Sequence, residues 1–380
     1  MPVHQAFRFE IDPSTTTRSA LASHAGASRF AYNWGLALVK DRLDARQALE
    51  VLAMRQGAGA GEARAWAAET VGPVPWTLYS FRKEWNRVKD EFAPWWRENS
   101  KEAYNSGFDA LARALKGYFD SRGGARTGKP MGFPTFKKKG GQRSCRFSTG
   151  VIRVVDDRHV QLPRLGVIRT KEHTTALLDQ VVAGRARALS ATIREEAGRW
   201  FVSFGCEVER HDAVATYPDA IVGVDLGVHH LAALSTGELV ENPKPISRQA
   251  RRTARLNREL SRRQKGSKRR AKTKAKLARC HRRVANVRRD SLHKLTTHLA
   301  TAYGTVVIED LAVKNMTASP KPKADPENPG QHLENGHAAK AGLNRSILDI
   351  APGELRRQLT YKMGWHGGHL VGWSAMTVPE

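Results

Sequence analysis

The chain has 380 residues, which is enough for two or three domains with their own cores and excludes a small disulfide-stapled module. Its 63 Lys and Arg against 37 Asp and Glu give a formal net charge of +26, and 40% of its residues are hydrophobic. This composition predicts a folded, strongly basic protein. Such an excess of positive charge favours a polyanionic partner, and nucleic acid is the partner it indicates first.

The cysteines and the amino terminus exclude several other classes. Cys145, Cys206 and Cys280 are far apart and form no C-x-x-C pair, so we expect neither a disulfide framework nor a zinc site. The first residues lack the apolar core of a secretory signal, and no segment approaches the ~18 apolar residues of a membrane span. The sequence therefore predicts a cytoplasmic protein with no membrane partner.

The first 120 residues are patterned mainly as helices. Alternation over residues 6–11 predicts a strand, and apolar residues then recur at helical spacing over 19–43 and 76–119, with a predicted loop at 57–64. Trp85, Trp95 and Trp96 fall in this region. At helical spacing, core packing is favoured for these tryptophans over stacking on nucleobases.

A basic segment at residues 132–139, GFPTFKKK, separates the helices from a series of short strands. We predict nucleic-acid contacts for its lysines, Lys137, Lys138 and Lys139. The strands that follow, up to residue 208, alternate with turns and favour a small β-barrel or sandwich. If the first strand of the chain joins this sheet, the helical region is an insertion into the β-domain.

A further domain begins near residue 219, with two apolar strands that end in carboxylates. Asp225 follows the apolar run 221–224, and Glu309 follows the run 304–308. A buried, unpaired carboxylate is costly, whereas acids that converge on a divalent cation stabilise the bound state. Asp225 and Glu309 are therefore candidate catalytic and metal-binding residues, and the alternative is that each acid simply caps its strand.

Most of the net charge lies between these two strands. Residues 248–289 contain 19 Lys and Arg and a single acid, Glu259, and their apolar pattern predicts two long helices interrupted near Gly266. A helix surface that only faces solvent would carry both positive and negative side chains. We therefore predict that this surface contacts nucleic-acid phosphates. The predicted contact residues are Arg251, Arg252, Arg255, Arg262, Arg263, Lys268, Arg269, Arg270, Arg282, Arg283, Arg288 and Arg289.

An ordered set of motifs resembles the TnpB (OrfB) proteins of bacterial insertion sequences. The segments that carry the resemblance are 222–227 (VGVDLG), 288–294 (RRDSLHK), 307–311 (VIEDL) and 344–347 (NRSI), with 30–34 (FAYNW) and 132–139 upstream. The resemblance extends to about residue 371 and so covers nearly the whole chain.

This resemblance implies an RNA-guided DNA endonuclease that hydrolyses DNA phosphodiesters with Mg²⁺ or Mn²⁺, in which Asp225 and Glu309 match the first two metal-binding acids. Its partners would be a guide RNA derived from the transposon end and a double-stranded DNA target, and pairing would supply most of the specificity. We further expect a monomer or weak dimer, associated with the bacterial nucleoid.

The fold class implied is a multidomain α+β protein. It comprises a wedge-type β-barrel with an inserted helical recognition domain, followed by an RNase H-like (RuvC) nuclease domain that lacks its C-terminal part. We expect the first barrel strand within residues 1–14, the recognition domain at 15–120, the barrel at 121–218 and the nuclease domain at 219–380, with the basic helical pair at 246–300.

The chain departs from the family after residue 371, where members continue into a four-cysteine zinc ribbon and a third catalytic Asp. Residues 372–380 contain neither Cys nor Asp, so we expect weaker metal binding and reduced cleavage. Asp349 and Glu354 are expected to be helix caps or surface residues rather than replacements, and His366 and His369 alone are too few for a metal site.

Three functions remain open at this point. The first is an active TnpB-like nuclease, and the second is a cleavage-deficient nucleic-acid-binding protein, either a guided DNA binder or a remnant. The third is a basic RNA-binding scaffold, which leaves the two acids at the strand ends unexplained.

Overall fold

The computed structural model of the chain describes residues 2–209, 214–326, 328 and 331–373. The chain divides into two compact units, an N-terminal unit that ends at Glu209 and a C-terminal unit that follows it. None of the helices in these ranges combines the length and the apolar character that a membrane span requires.

The N-terminal unit combines helices with antiparallel strands. Its described α-helices are α1 (Thr15–Arg55), α2 (Ala60–Val71), α3 (Leu78–Phe92), α4 (Lys101–Arg122) and α5 (Thr175–Val182), and a short 3₁₀ helix spans Pro94–Glu98. Its described strands are β1 (Pro2–Ile11), β2 (Ser144–Phe147), β3 (Arg153–Val154), β4 (His159–Leu162), β5 (Gly166–Arg169), β6 (Ala186–Glu196) and β7 (Arg199–Glu209). The loop predicted at 57–64 is shorter than expected, because the alanine-rich α2 already begins at Ala60.

The strands of this unit form two sheets, one in the order β1-β7-β6-β2 and one in the order β3-β4-β5. β1 pairs with β7 over its whole length, from Pro2 opposite Glu209 to Ile11 opposite Trp200. Since β1 opens the unit and β7 closes it, α1 to α4 are inserted between strands of the same sheet.

The helices pack through aromatic rings and small residues. Trp85 is only 4% exposed, and its ring lies 5.3 Å from that of Trp34 in an edge-to-face contact, so the predicted core packing is confirmed for Trp85. Trp95 differs, because 40% of its surface is exposed. α1 and α4 approach closely at Gly107, where a Cβ atom would lie 2.2 Å from the Ser28 carbonyl oxygen.

The C-terminal unit contains a mixed sheet backed by helices. Its described strands are β8 (Tyr217–Asp225), β9 (His230–Leu234), β10 (Leu239–Glu241), β11 (Tyr303–Glu309), β12 (Lys323–Ala324), β13 (His332–Leu333) and β14 (His369–Trp373). Its described helices are α6 (Pro245–Arg262), α7 (Lys268–Ala302), α8 (Val313–Met316), α9 (His337–Ile350) and α10 (Pro352–Trp365). The break between α6 and α7 confirms the two helices predicted around Gly266.

The main sheet has the order β10-β9-β8-β11-β14, with β8, β11 and β14 parallel and β9 antiparallel to β8. Val222, Val224, Val306 and Ile308 point to one face and are buried in a core shared with residues of α7 and α10. Because side chains alternate along a strand, Asp225 and Glu309 lie on the opposite face.

Gly304 sets how closely β8 and β11 can approach at their beginnings. A Cβ atom at this position would lie 1.6 Å from the Pro218 carbonyl oxygen, which belongs to the β8 backbone. No side chain fits there without separating the two strands that carry Asp225 and Glu309.

We expect Gly304→Ala to destabilise the C-terminal unit by about 1–3 kcal/mol, because the added methyl group overlaps backbone that cannot move freely. Gly364→Ala is the matched control, since a Cβ atom there meets nothing within 4 Å and the residue lies within α10. The measurement is hydrogen–deuterium exchange of β8 and β11 peptides together with urea denaturation. Equal exchange rates in the two variants would contradict the expectation.

A buried lysine links α10 to α7. The Lys362 ammonium donates to Thr296 Oγ1 and Thr297 Oγ1, each at 2.7 Å, and to the His293 carbonyl oxygen at 2.9 Å. Lys362 is 6% exposed, and burial lowers its pKa to about 8. Three hydrogen bonds replace part of the lost hydration, and none of these three acceptors is a carboxylate.

The free energy of unfolding of the C-terminal unit should therefore rise between about pH 8 and pH 10.5. In that window the folded chain has released the Lys362 proton while the unfolded chain, with the ordinary pKa of 10.5, still binds it. Lys362→Met, which keeps a similar volume, should reduce this rise by about 1–3 kcal/mol. Urea denaturation of both proteins at several pH values measures the difference, and identical pH profiles would refute the assignment.

Candidate active site and nucleic-acid surfaces

The two candidate catalytic acids end neighbouring parallel strands. In the ladder between β8 and β11, Val307 is opposite Gly223 and Ile308 is opposite Val224. The next residues along these strands are Glu309 and Asp225, so the two acids come side by side on strands about 4.8 Å apart. The structure thus brings together two acids that are 84 positions apart in the chain.

The two acids also lie where the order in which strands are added to the sheet reverses. β9 and β10 are added on one side of β8, whereas β11 and β14 lie on the other side. In open sheets with parallel strands, ligands bind outside the carboxyl ends of the strands at such a switch point. Asp225 and Glu309 occupy this position.

A cleft of about 450 Å³ opens over the two carboxylates. Ser235 and Trp373 line it beside Asp225 and Glu309, and its remaining walls are glycine and aliphatic residues. Ser235 Oγ accepts a hydrogen bond from the Gly223 backbone N–H at 3.0 Å, which holds the end of β9 against β8. The described lining contains no Lys or Arg, so nothing in it neutralises the two acids.

Asp310, the acid next to Glu309 in the sequence, is engaged elsewhere. Its Oδ1 accepts from the Arg356 guanidinium of α10 at 2.9 Å, and its backbone N–H donates to the Trp373 carbonyl oxygen at 2.7 Å. Glu309 therefore lines the cleft, whereas Asp310 is paired with Arg356 of α10. The apolar pattern of the strand does not by itself distinguish these two roles.

The two acids considered as replacements for a third ligand have structural partners. Asp349 is buried, accepts from the Ile246 backbone N–H at the start of α6 and forms an ion pair of 2.8 Å with Arg288. Glu354 accepts from Arg357, which lowers the pKa of the carboxyl to about 2. Asp349 thus caps α6 although it lies within α9, and Glu354 is paired within the first turn of α10.

The described residues contain no group of three His, Cys, Asp or Glu side chains placed to hold a metal ion. The expectation that a third acid is missing concerns residues 372–380. Of these, residues 374–380 lie outside the part of the chain that the structure describes. Two adjacent carboxylates still fit Mg²⁺, because this ion is commonly held by one or two carboxylates together with water and phosphate oxygens. Asp225 and Glu309 are the residues that would hold it.

The basic helices form a hairpin in which Glu259, the single acid of residues 248–289, bonds between the two helices. Glu259 forms an ion pair with Arg263 and accepts from Thr273 Oγ1 of α7 at 3.2 Å. Arg270 donates to the carbonyl oxygens of Leu260 and Arg263 and so closes the end of α6. These contacts hold α6 against α7 and leave the outer surface strongly positive.

The predicted contact residues therefore divide into two groups. Arg263, Arg270 and Arg288 have partners within the protein, and Arg282 is half-buried. The others are exposed, namely Arg251, Arg252, Arg255, Arg262, Lys268, Arg269, Arg283 and Arg289. Arg255 and Arg262, together with Arg258, also line a cleft of about 540 Å³ on α6.

The N-terminal unit has a separate basic groove of about 630 Å³. Arg29, Arg113, Lys137, Lys138 and Arg146 line it, and the rest of its described lining consists of small or polar uncharged residues. Lys139 lines a smaller adjoining pocket. The backbone of Lys137 is held by Asn33, which exchanges hydrogen bonds of 2.8 and 3.0 Å with it.

Three cations of this groove were not predicted from the sequence. Arg29 lies on α1, Arg113 on α4 and Arg146 on β2, so they have no common local pattern and meet only in the folded unit.

Comparisons with known proteins find two families and several relatives that match this chain. A family described as "Probable transposase" matches residues 203–319, and one described as "Helix-turn-helix domain" matches residues 1–48. A Mycobacterium tuberculosis protein, provisionally named an RNA-guided DNA endonuclease, is 36% identical over 97% of this chain and 75% of its own length. InsQ of Escherichia coli K12, with the same provisional name, is 32% identical over 97% of this chain and 79% of its own length.

The chain belongs to the TnpB (OrfB) family. This confirms the membership predicted from the motifs. A cryo-EM structure of a Cas12f1–sgRNA–target DNA complex is 12% identical, with a TM-score of 0.44 over 98% of this chain and 89% of that one. In this TnpB-family chain, described residues 2–48 form β1 and most of one continuous helix, α1, rather than two helices joined by a turn.

Removing exposed charge from the hairpin should weaken nucleic-acid binding. We expect the triple variant Arg251→Gln, Arg252→Gln, Arg255→Gln to bind RNA about tenfold more weakly near 0.15 M salt and to lower the salt slope by about two, because fewer counterions are released. Fluorescence anisotropy against salt concentration measures both.

The matched control removes three exposed cations from helices of the other unit, Arg55, Lys83 and Arg87. If both triple variants lose the same affinity, only net charge matters and the hairpin is not the binding surface.

Proposed function

We propose that this TnpB-family chain is an RNA-guided DNA endonuclease that hydrolyses DNA phosphodiesters with divalent metal at Asp225 and Glu309. The observation that carries the proposal is the pair of carboxylates side by side at a switch point of the sheet, in one cleft. The provisional names of the long relatives support the same class of activity.

The domain arrangement is part of the proposal. We assign the sheets of the N-terminal unit to a wedge-type barrel, helices α1 to α4 to an inserted recognition domain, and the C-terminal unit to an RNase H-like domain. Pairing of β1 with β7 supports the insertion, and the mixed sheet with acids at its parallel strand ends supports the nuclease assignment.

The cleft requires cations in order to accept a phosphodiester. Asp225 and Glu309 would repel a phosphate group, and no Lys or Arg of the described lining offsets that repulsion. Bound Mg²⁺ or Mn²⁺ would supply charge neutralisation and activation of water. The two acids would hold these ions, while Arg356 pairs with Asp310 outside the cleft and Trp373 provides a flat wall beside Glu309.

Guide RNA and target DNA would be held by surfaces that contain few acids. The exposed arginines of the α6–α7 hairpin and the groove around Lys137 and Lys138 offer positive charge with little internal compensation. Such surfaces bind the sugar–phosphate backbone irrespective of sequence, and specificity is then left to base pairing. The RNA partner would derive from the transposon end, and the target would be double-stranded DNA.

A second candidate function is a guided binder that does not cut. It is favoured by the finding that, within the described residues, Asp225 and Glu309 have no third acid placed with them. In that case the basic surfaces would hold RNA and DNA as proposed while hydrolysis would be slow or absent.

The test is a cleavage assay with protein co-expressed with RNA from the 3′ flank of its gene. The substrate is a double-stranded DNA library with randomised flanks, incubated with Mg²⁺. We expect cleavage that Asp225→Asn and Glu309→Gln each reduce at least about 100-fold, because each removes a metal-binding charge. Asp310→Asn is the matched control, since it changes the neighbouring acid, and it should retain most activity.

The outcomes separate the two functions. Cleavage that depends on Asp225 and Glu309 supports the nuclease, whereas site-specific binding without cuts supports the guided binder. Cleavage that survives both substitutions would show that the cleft is not the active site.

A further inference from the structure

The helical part of the N-terminal unit contains a small pocket between α3 and α4 that the proposed nuclease function does not use. Its volume is about 170 Å³, well below the ~300–1,000 Å³ of pockets for drug-sized ligands. This limits an occupant to about one planar ring system. Three aromatic side chains, Trp85, Trp96 and Tyr104, contribute to its walls.

Trp96 is held as a rigid platform at this pocket. Its indole N–H donates to Asp90 Oδ1 at 2.9 Å, and its carbonyl oxygen accepts from the Tyr104 hydroxyl at 3.1 Å. Trp85 and Tyr104 are stacked on each other in the core, with ring centroids 5.3 Å apart, whereas Trp96 is half-buried. Trp96 is therefore the ring available for stacking.

The polar groups of the pocket are amides and cations. Asn105 uses its amide nitrogen to bond Glu102 at 2.9 Å, and Asn86 uses its amide oxygen to accept from Lys89 at 2.9 Å. The side-chain atoms Asn86 Nδ2 and Asn105 Oδ1 have no hydrogen bond among the described residues. They offer one donor and one acceptor, which match the edge of a nucleobase.

The charged side chains that line the pocket are all cations, and the nearby acids Asp90 and Glu102 are bonded to lining residues. Arg82, Lys89 and Lys101 line it, and no carboxylate does so within the described residues. The Lys89 ammonium lies 4.3 Å from the centre of the Trp96 ring, which shows that this ring face accepts a cation in the free protein. A planar ring that entered the pocket would take the place of the Lys89 ammonium on this ring face.

We propose that this pocket holds a single unstacked nucleobase of a bound nucleic acid, stacked on Trp96 and bonded to Asn86 and Asn105, with its flanking phosphates on Arg82 and Lys101. The proposal rests on the nucleic-acid binding proposed above and extends it to a base-dependent contact. It differs from the basic hairpin and groove, which recognise only the backbone. The base belongs to single-stranded RNA or to displaced single-stranded DNA, which present the same ring and phosphates.

The test compares two labelled single strands of equal length and charge, one natural and one in which every base is replaced by an abasic site. Wild-type protein should bind the natural strand about tenfold more tightly, which is within the range for one stacked base. Asn86→Leu should remove most of this ratio, because it deletes an amide and fills the pocket. Asn86 is exposed, so the variant is expected to fold, and circular dichroism checks this.

A second variant tests the charges. Lys101→Gln should weaken binding of both strands, whereas Lys83→Gln, which removes an exposed cation of α3 that does not line the pocket, should weaken binding less. The same measurement with an RNA strand of the same sequence distinguishes RNA from DNA. The strand whose affinity Asn86→Leu lowers more is the one whose base the pocket holds.

The outcomes are distinct. If wild type prefers the natural strand and Asn86→Leu does not, the pocket is supported. Equal binding of natural and abasic strands by wild type, or an unchanged preference in Asn86→Leu, overturns the pocket while nucleic-acid binding stands. Binding of neither strand overturns the proposed nucleic-acid function as well.

Discussion

The parallel pairing of β8 with β11 is the constraint on which the candidate active site depends. It places two carboxylates at adjacent strand ends, the position at which we propose that they bind a divalent cation. The opposite face of the same strands is filled by Val222, Val224 and Ile308 against α7 and α10, so the register cannot slip without burying an acid. Close approach at Gly304 completes this arrangement.

The acidic and basic side chains of the C-terminal unit are arranged in a way that fits this site. Acids that would compete with Asp225 and Glu309 are neutralised by individual arginines, as Arg356 does for Asp310 and Arg288 for Asp349. Most of the other arginines of the hairpin are exposed. The unit therefore presents one small acidic cleft and one extended basic surface, which suits an enzyme that holds a polyanion and cuts it at a single point.

The N-terminal unit contains the two sites for which we propose different contacts with a nucleic acid. Its groove around Lys137 combines cations with small residues and suits a backbone. Its pocket at Trp96 combines an aromatic ring with amides and suits a base. Close packing of α1 on α4 at Gly107 and pairing of β1 with β7 hold these elements in one unit.

The sequence alone was sufficient for the family, the α6–α7 hairpin and the core role of Trp85, because each is encoded in a contiguous motif or a regular apolar pattern. It also predicted Asp225 and Glu309 as catalytic acids, and the structure places both on neighbouring strands. It could not separate Glu309 from Asp310 by spacing, nor distinguish the arginines that bind within the protein from those that are exposed. It also could not reveal the groove formed by Arg29, Arg113 and Arg146 or the pocket between α3 and α4. Those features are produced by contacts between residues distant in the chain, and such contacts exist only once strand register and helix packing have been set.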